Sequence, residues 1–509
     1  GCGGSVDVLS QGTYSYPDPI RIAVATDELL AMAKATGGKQ QVMKMTQIIW
    51  YRSQTAPAPK PGMAPPAHQA RWEREQPDAP FITIAPLHLR EAFWTKIARP
   101  IRGIMYHGWQ SLVPTDSPSG YRYTHPETQH ELARLVREVV QPLGPTLLAV
   151  PGASSDVAFL ESFASQVFAR RGTYGWGGGW LGDAYHVLLY AHLQPEIVYD
   201  ETVAQRGLDG FRVLVMADCD VLTASVARRV KEFQARGGIV VGDERLAPAI
   251  KPDILMNSYQ RTGRADRDKQ ALLALAAELR GKLDGRYRRG MDSSNPEVVP
   301  YLRRWREAQY VFVVSDRREY GRYVGHHGIV MENGLPCESV LSVERPEGFV
   351  YDLVRHENIP VRKQDGRLLW DVRLGPCDGG VYLVSPRPIA GLRIIAPESV
   401  GRGLGARCVV EVVDPEGRPV DAVVPVEVTI RDAEGRTAEF SGSYAAVGGR
   451  LEVSLDIAAN DPPGAWRIEA RELASGRGAQ ADLRVRGLEE RPSPGVPSKE
   501  TANPVQPRG

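Results

Sequence analysis

Seven residues stand at or just beyond the ends of apolar, strand-like runs near the start of the 509-residue chain: Tyr16, Gln47, Trp50, Tyr106, His107, Trp109 and Gln110. Tyrosine and tryptophan offer flat apolar faces, whereas glutamine and histidine hydrogen-bond hydroxyls. A pocket lined by both kinds suits a ring that is apolar on its faces and hydroxylated at its rim, as a sugar is. The competing place for Trp50 and Tyr106 is the core. A further aromatic group, Tyr174-Gly175-Trp176-Gly177-Gly178-Gly179-Trp180, is a glycine-spaced loop whose Trp176 either stacks on a ligand or packs an interface between units. Cys219 lies in Ala217-Asp218-Cys219-Asp220, where two flanking aspartates raise a thiol's pKa and oppose a nucleophilic role. Metal chemistry finds no support. His186 and His192 are six apart and fall on different helix faces, His326-His327 lack ligand spacing, and there is no HExxH. Gly401-Arg402-Gly403-Leu404-Gly405 lacks the following helix that a dinucleotide fingerprint needs, and no Walker sequence occurs, so no cofactor is expected.

These residues are positioned by alternating strands and helices. The pattern predicts a strand at Val6–Ser10, a helix at Asp27–Thr36 ended by Gly37-Gly38, a strand at Gln41–Trp50, a Pro-rich insertion, a helix at Pro86–Ile97 and a strand at Arg102–His107. A helix at His130–Val139 should lead to a linker, Pro142–Pro151. From Leu181 to Glu244 the reading is helix, strand, strand, helix, strand. Leu181–Leu193 has helical apolar spacing, and Glu196–Tyr199 and Arg212–Met216 are short β-branched runs. Thr223 caps a helix through Phe233, and Gly237-Gly238 precede the strand Ile239–Val241. Such alternation needs crossovers and so a parallel, doubly wound sheet. Val157–Phe168 should open this unit, Lys269–Leu283 should close it, and Val213–Met216, apolar on both faces, should be central. From Tyr310 onward alternating strands (Tyr310–Val314, Gly348–Val354, Leu368–Val372, Gly380–Val384) predict an antiparallel sandwich. A second all-β unit spans about Leu392–Val485, and the last twenty residues read as a polar, disordered tail.

The order of the α/β pieces, with Leu208–Val215 and the Arg236–Val240 turn, resembles the flavodoxin-like trimerisation domain of beta-galactosidases, itself a relative of class I glutamine amidotransferases. The Gly-x-Cys-x-Gly elbow of amidotransferases is absent around Cys219. Upstream, Gln47-Ile48-Ile49-Trp50, Leu89-Arg90-Glu91-Ala92-Phe93-Trp94 and Gly103-Ile104-Met105-Tyr106 resemble the last three βα units of a glycoside-hydrolase (β/α)8 barrel. Gly417–Val426 and Asn460–Trp466 resemble macroglobulin-like and bacterial immunoglobulin-like domains. The resemblance implies a multidomain α/β plus all-β chain. Its parts are a partial (β/α)8 barrel (1–142), a flavodoxin-like doubly wound parallel sheet (143–300), two C-terminal antiparallel β-sandwich domains (301–390 and 391–487) and a tail (488–509). The first five barrel strands would lie upstream of Gly1.

What the resemblance implies for chemistry is hydrolysis of glycosidic bonds by two carboxylates about 5 Å apart at the ends of strands four and seven. Strand four is outside the chain on this reading, and Thr46 stands where the related families place Glu before Gln. Threonine does not form the usual glycosyl ester. Asp7 and Glu91 are the remaining catalytic candidates, against ordinary roles as a loop cap and a helix-surface ion pair. Tyr16, Gln47, Trp50, Tyr106, His107, Trp109 and Gln110 would meet at the C-terminal mouth of the barrel, where this fold builds its sites. Three readings stay open: part of a glycoside hydrolase, a non-catalytic carbohydrate-binding or cell-surface scaffold with a degenerate barrel, and an extracellular interaction protein.

Composition is compatible with these and excludes others. Sixty-two basic and 61 acidic residues give no field for nucleic acid, and no run of apolar residues is long enough to span a bilayer. The expected partner is a carbohydrate, with a second copy of the chain through the flavodoxin-like unit. An extracellular or cell-envelope location fits the accessory β units. Five cysteines far apart argue against a zinc site; Cys337 and Cys377 share one β unit, where two reduced thiols are expected in preference to a disulfide.

Overall fold

Strands Val8–Thr13, Gln41–Gln47 and Gly103–His107 lie side by side in chain order, all parallel, with Thr13 opposite Thr46 and Thr46 opposite Tyr106. The computed structural model describes residues 5–13, 18–51, 81–83, 86–108, 126–169, 179–324 and 330–487. The first crossover helix, Pro19–Ala35, starts eight residues before the expected Asp27. Asp18 caps it, accepting from the Ile20 and Arg21 amides at 3.1 and 2.9 Å, and Pro19 supplies a φ already set for the first turn. The expected strand Gln41–Trp50 breaks at Ile48, and Ile49–Tyr51 pairs instead with Phe81–Thr83 in a separate antiparallel ribbon. Helix Pro86–Ile97 is the second crossover.

The expected linker Pro142–Pro151 is helical as far as Ala149. Helix Pro126–Leu135 runs into a wide turn, Val136–Val140, in which the Gln141 amide bonds to Val136 O, and restarts at Gln141 so that Pro142 falls in its first turn. Leu135, Val140 and Gln141 all keep right-handed helical φ and ψ, so the chain stays helical through the widened turn although Pro142 supplies no amide to it. Burial of Leu143 and Thr146 and the Arg303 guanidinium, which donates to Leu147 O and Val150 O, outweigh the poor propensity of Pro145.

The second sheet has five parallel strands in the spatial order Ile254–Leu255, Ile239–Gly242, Val213–Met216, Val157–Glu161, Glu196–Tyr199. Numbered along the chain this is 2-1-3-4-5, the flavodoxin-like doubly wound order, with Val213–Met216 in the middle as expected. Val213 and Val215 pack on helices Gly179–Tyr190 and Ala265–Leu283, and Leu214 and Met216 on helices Asp200–Arg206 and Ala224–Ala235. Thr223 caps the Ala224–Ala235 helix through the Val226 amide. Helix Pro19–Ala35 is shared: Ile20, Ala23 and Val24 enter the core of this second unit.

Two antiparallel units follow. In the first, a four-stranded and a five-stranded sheet face each other across Trp370, Leu341, Val313 and Val384, from Met291 to Ser385. In the second, a three-stranded and a five-stranded sheet between Gly391 and Arg486 enclose Val410, Val426, Trp466 and Leu483. Cys337 and Cys377 are separate buried thiols, as are Cys219 and Cys408. No helix among the described residues is long and apolar enough to cross a membrane.

Candidate functional site

Alternation along the three-stranded sheet sends successive side chains to opposite faces. Val42, Lys44 and Thr46 are buried on the face that carries both crossover helices: Val42 packs on Leu29 and Ala33, and the Lys44 ammonium reaches Ala25 O at 3.4 Å and Gln11 Oε1 at 2.9 Å. Met43, Met45 and Gln47 alternate with them and are only partly buried. Register places Gly103, Met105 and His107 on that same second face, and the Cβ position of Gly103 lies 3.2 Å from the Met43 methyl. This face has no helix packed on it among the described residues. At its C-terminal edge Gln47 and His107 are register partners, locked there by the Ile48 amide donating to His107 O at 2.9 Å. Two sequence-derived candidates therefore come together on one face and at one end.

The others part from them. Tyr106 is the register partner of Thr46 and so faces the helix layer, where it packs with the core around Phe93 and Trp94; burial raises its phenol pKa. Thr46 also points into that layer and accepts from the Lys96 ammonium at 2.6 Å, so it is turned away from the face on which Gln47 and His107 meet. Asp7 is exposed and precedes the first strand, so it lies at the N-terminal edge, about 20 Å of extended chain from Thr13. It lies at the opposite end of the sheet from Gln47 and His107. Glu91 is fully buried and ion-paired with Arg318, which also meets Asp316 at 2.6 Å; it is neither a helix-surface pair nor open to a ligand. Tyr16, Trp109, Gln110 and Trp176 lie outside the described residues, and of Trp50 only the backbone, in the short ribbon, is described.

Missing from the sequence reading is a layer of buried charge between sheet and helices. Lys44 and Lys96 are both fully buried. Burial pulls Lys44 down to about 8 against the opposing pull of Glu28 and Asp27, and takes Lys96 well below its ordinary value, with the Lys44 charge adding to the effect. The signal was present: Lys44 sits on the apolar parity of Val42-x-Lys44-x-Thr46, where a strand lysine has no route to water. Nearby, Arg99 grips Asp27 with two bonds of 3.0 Å while the Tyr185 hydroxyl donates to the same carboxylate at 2.6 Å.

In the five-stranded sheet the crevice between the C-terminal ends of Val157–Glu161 and Val213–Met216 is the position at which doubly wound folds bind ligands. Asp218 stands there with φ of +52° and accepts from Arg245 at 2.7 Å. Cys219 next to it has no exposure, and its thiol contacts Ala217 O at 3.4 Å. Burial first, then Asp243, Asp200, Asp218 and Asp220, push its pKa far up. Iodoacetamide applied to the native protein should leave Cys219 unlabelled until denaturant is added, as mass spectrometry of the peptide would show; labelling at the rate of a free thiol would overturn this assignment.

No protein-family model matches the sequence, and no curated protein matches it. Among solved structures, alpha-L-fucosidase isoenzyme 2 from Paenibacillus thiaminolyticus is 13% identical over 76% of this chain and 66% of its own, with a TM-score of 0.48. A GH42 beta-galactosidase from G. stearothermophilus is 12% identical over 75% of this chain and 60% of its own, with a TM-score of 0.46. The cold-adapted beta-galactosidase from Rahnella sp. R3 gives 10%, 75%, 60% and 0.45. The chain thus spans about two thirds or less of the length of these proteins. At these identities, and with TM-scores below 0.5, the likeness carries neither a fold nor an activity over to this chain.

Proposed function

We propose that the chain is the C-terminal portion of a carbohydrate-active protein of the glycoside-hydrolase type, its three parallel strands being the last of a (β/α)8 barrel. The observation that carries this is the one-sided sheet. Both helices cover one face, and the other bears half-buried Met43, Met45 and Met105 under a polar edge formed by Gln47 and His107. A parallel sheet is stable when both faces are covered, which a closed barrel achieves by turning one face inward. Gln47 and His107 would then hydrogen-bond the hydroxyls of a sugar at the mouth.

Hydrolysis needs two carboxylates at that mouth, and no described strand end on the open face carries one. The 509-residue chain should therefore bind saccharides weakly, with Kd on the order of millimolar, and turn over none. Titration with galactose, fucose and their oligosaccharides, followed by isothermal calorimetry, tests the first part. Gln47→Ala or His107→Ala should weaken binding by about 10-fold each if a hydrogen bond is lost. Assays on aryl β-galactosides and aryl α-L-fucosides test the second, and turnover by the purified chain would sink the reading of its catalytic residues.

The same lack of a carboxylate favours a second reading, a non-catalytic carbohydrate-binding scaffold. It separates from the first when the three strands are expressed with the remainder of the barrel: the hydrolase reading requires activity there, and the scaffold reading requires none.

A further inference from the structure

A cleft of about 590 Å³ opens between the N-terminal edge of the five-stranded parallel sheet and the first β-sandwich. That is the volume of a site for a ligand of sugar size. Six cations line it: Lys34, Arg206, Arg212, Arg288, Arg289 and Arg304. Its four carboxylates are occupied. Glu196 pairs with Lys34 at 2.5 Å, Asp209 with Arg236 at 2.9 Å and Glu344 with Arg288 at 3.1 Å, while Asp156 accepts the Tyr287 hydroxyl at 2.7 Å. Exposed Arg212 and Arg304 have no carboxylate partner among the described residues; Arg212 lies over the Tyr287 ring, 5.7 Å from its centre.

Two buried atoms in the same wall want a ligand. Arg289 is 6% exposed; its Nε donates to Ala191 O at 2.8 Å and its Nη1 to Asp284, yet its Nη2 has no partner. His192, next to Ala191, is 4% exposed; its Nδ1 meets Asp292 at 2.6 Å, Arg280 Nη1 at 3.2 Å and the Ser293 amide at 3.3 Å, and its Nε2 has no partner. Burial keeps this imidazole below its ordinary pKa although Asp292 opposes the shift. The Asp292 carboxylate at 2.6 Å favours the tautomer protonated at Nδ1 over the more distant Arg280 and Ser293 donors, and that tautomer leaves Nε2 as an acceptor. A guanidinium N–H and an imidazole nitrogen without partners, on two residues that line one cleft with the exposed Arg212 and Arg304, match a molecule that carries both an oxyanion and a hydroxyl.

We propose that this cleft binds a small hydroxylated organic anion, of which a sugar phosphate and a uronic acid are the two sources. The oxyanion meets Arg289 Nη2 and the Arg212 and Arg304 side chains, and a ligand hydroxyl donates to His192 Nε2. This site is separate from the strand ends of the three-stranded sheet and stands whether or not they bind sugar.

Calorimetry at low ionic strength, with the whole chain and four probes, tests it. Glucose 6-phosphate or glucuronate should bind, the tighter of the two identifying the source. Inorganic phosphate should bind about 10-fold more weakly for want of the hydroxyl, and glucose not at all at about 10 mM. Arg212→Ala and Arg304→Ala should each weaken the better ligand by about 10-fold, and added salt should weaken it further. Both arginines are exposed and unpaired, so unchanged thermal unfolding will show that these variants fold. Arg289→Lys, which keeps the charge but loses the forked donor, should also weaken binding. The proposal is overturned by the absence of binding of either sugar anion at about 10 mM, by glucose binding as well as they do, by inorganic phosphate binding equally tightly, or by affinity unchanged in both alanine variants.

Discussion

Arg99→Ala should cost the protein about 3–5 kcal/mol, the usual penalty for removing one partner of a buried ion pair and stranding the other. Arg99 is 4% and Asp27 8% exposed. The pair joins helix Pro19–Ala35 to the end of helix Pro86–Ile97, Arg99 lies 4.5 Å from the centre of the Tyr301 ring in the first β-sandwich, and Tyr185 of the α/β unit donates to the same carboxylate. Three units therefore meet around one ion pair. Without the guanidinium, Asp27 keeps only the Tyr185 hydroxyl among these partners. The double variant Asp27→Asn with Arg99→Met should recover part of the loss, since no buried charge is left uncompensated. Urea unfolding followed by tryptophan fluorescence measures both; a loss below about 1 kcal/mol in Arg99→Ala would mean that water reaches the pair.

The stability of Glu91→Gln relative to wild type should rise as pH climbs from 5 to 7 and level off above that. Burial, opposed by Arg318 and reinforced by Asp316, raises the Glu91 carboxyl from 4.5 to about 7. A carboxyl raised in the folded state contributes stability that is fully present below the unfolded pKa and is lost as pH climbs through the folded one. The window is thus 4.5 to 7, with a slope of up to about 1.4 kcal/mol per pH unit. His88 runs the other way: burial, with the Arg318 charge, lowers it from 6.5 to about 3, so its contribution is lost as pH falls through that range. The two oppose each other in the wild type. The informative quantity is therefore the difference in unfolding midpoint between Glu91→Gln and wild type at each pH. A difference flat from pH 5 to 8 would show that Glu91 is ionised throughout, held by Arg318.

Much of the architecture was legible from local rules. Thr223, Gly237 and the run Val213–Met216 announce a capped helix between two strands, and the structure places that strand at the centre of a five-stranded parallel sheet. Capping, glycine punctuation and two-sided apolarity are properties of a few neighbouring residues, which is why they survive without tertiary knowledge. Where the reading went astray, a distant contact overrode a local signal. The prolines at 142 and 145 predict a linker, but Arg303, more than 150 residues on, satisfies carbonyls at the end of a helix there. Asp18-Pro19 is a helix start written in the chain, eight residues ahead of the Asp27 start that the apolar spacing predicts.

Of the candidate site, the sequence by itself determined that Gln47 and His107 end parallel strands, because strand length and crossover helices follow from hydrophobic periodicity. Only the tertiary structure decided which face each residue takes. A shift of parity by one residue moves a side chain from the open face to the helix layer, so Thr46 and Tyr106 turn to Lys96 and the core while their neighbours Gln47 and His107 stay at the edge. Likewise Asp7 and Glu91 are carboxylates of the right kind in the wrong places, one at the opposite end of the sheet and one sealed against Arg318. Charge and residue type are local, whereas burial and facing are fixed by what packs from elsewhere in the chain, and it is burial and facing that decide whether a carboxylate can meet a ligand.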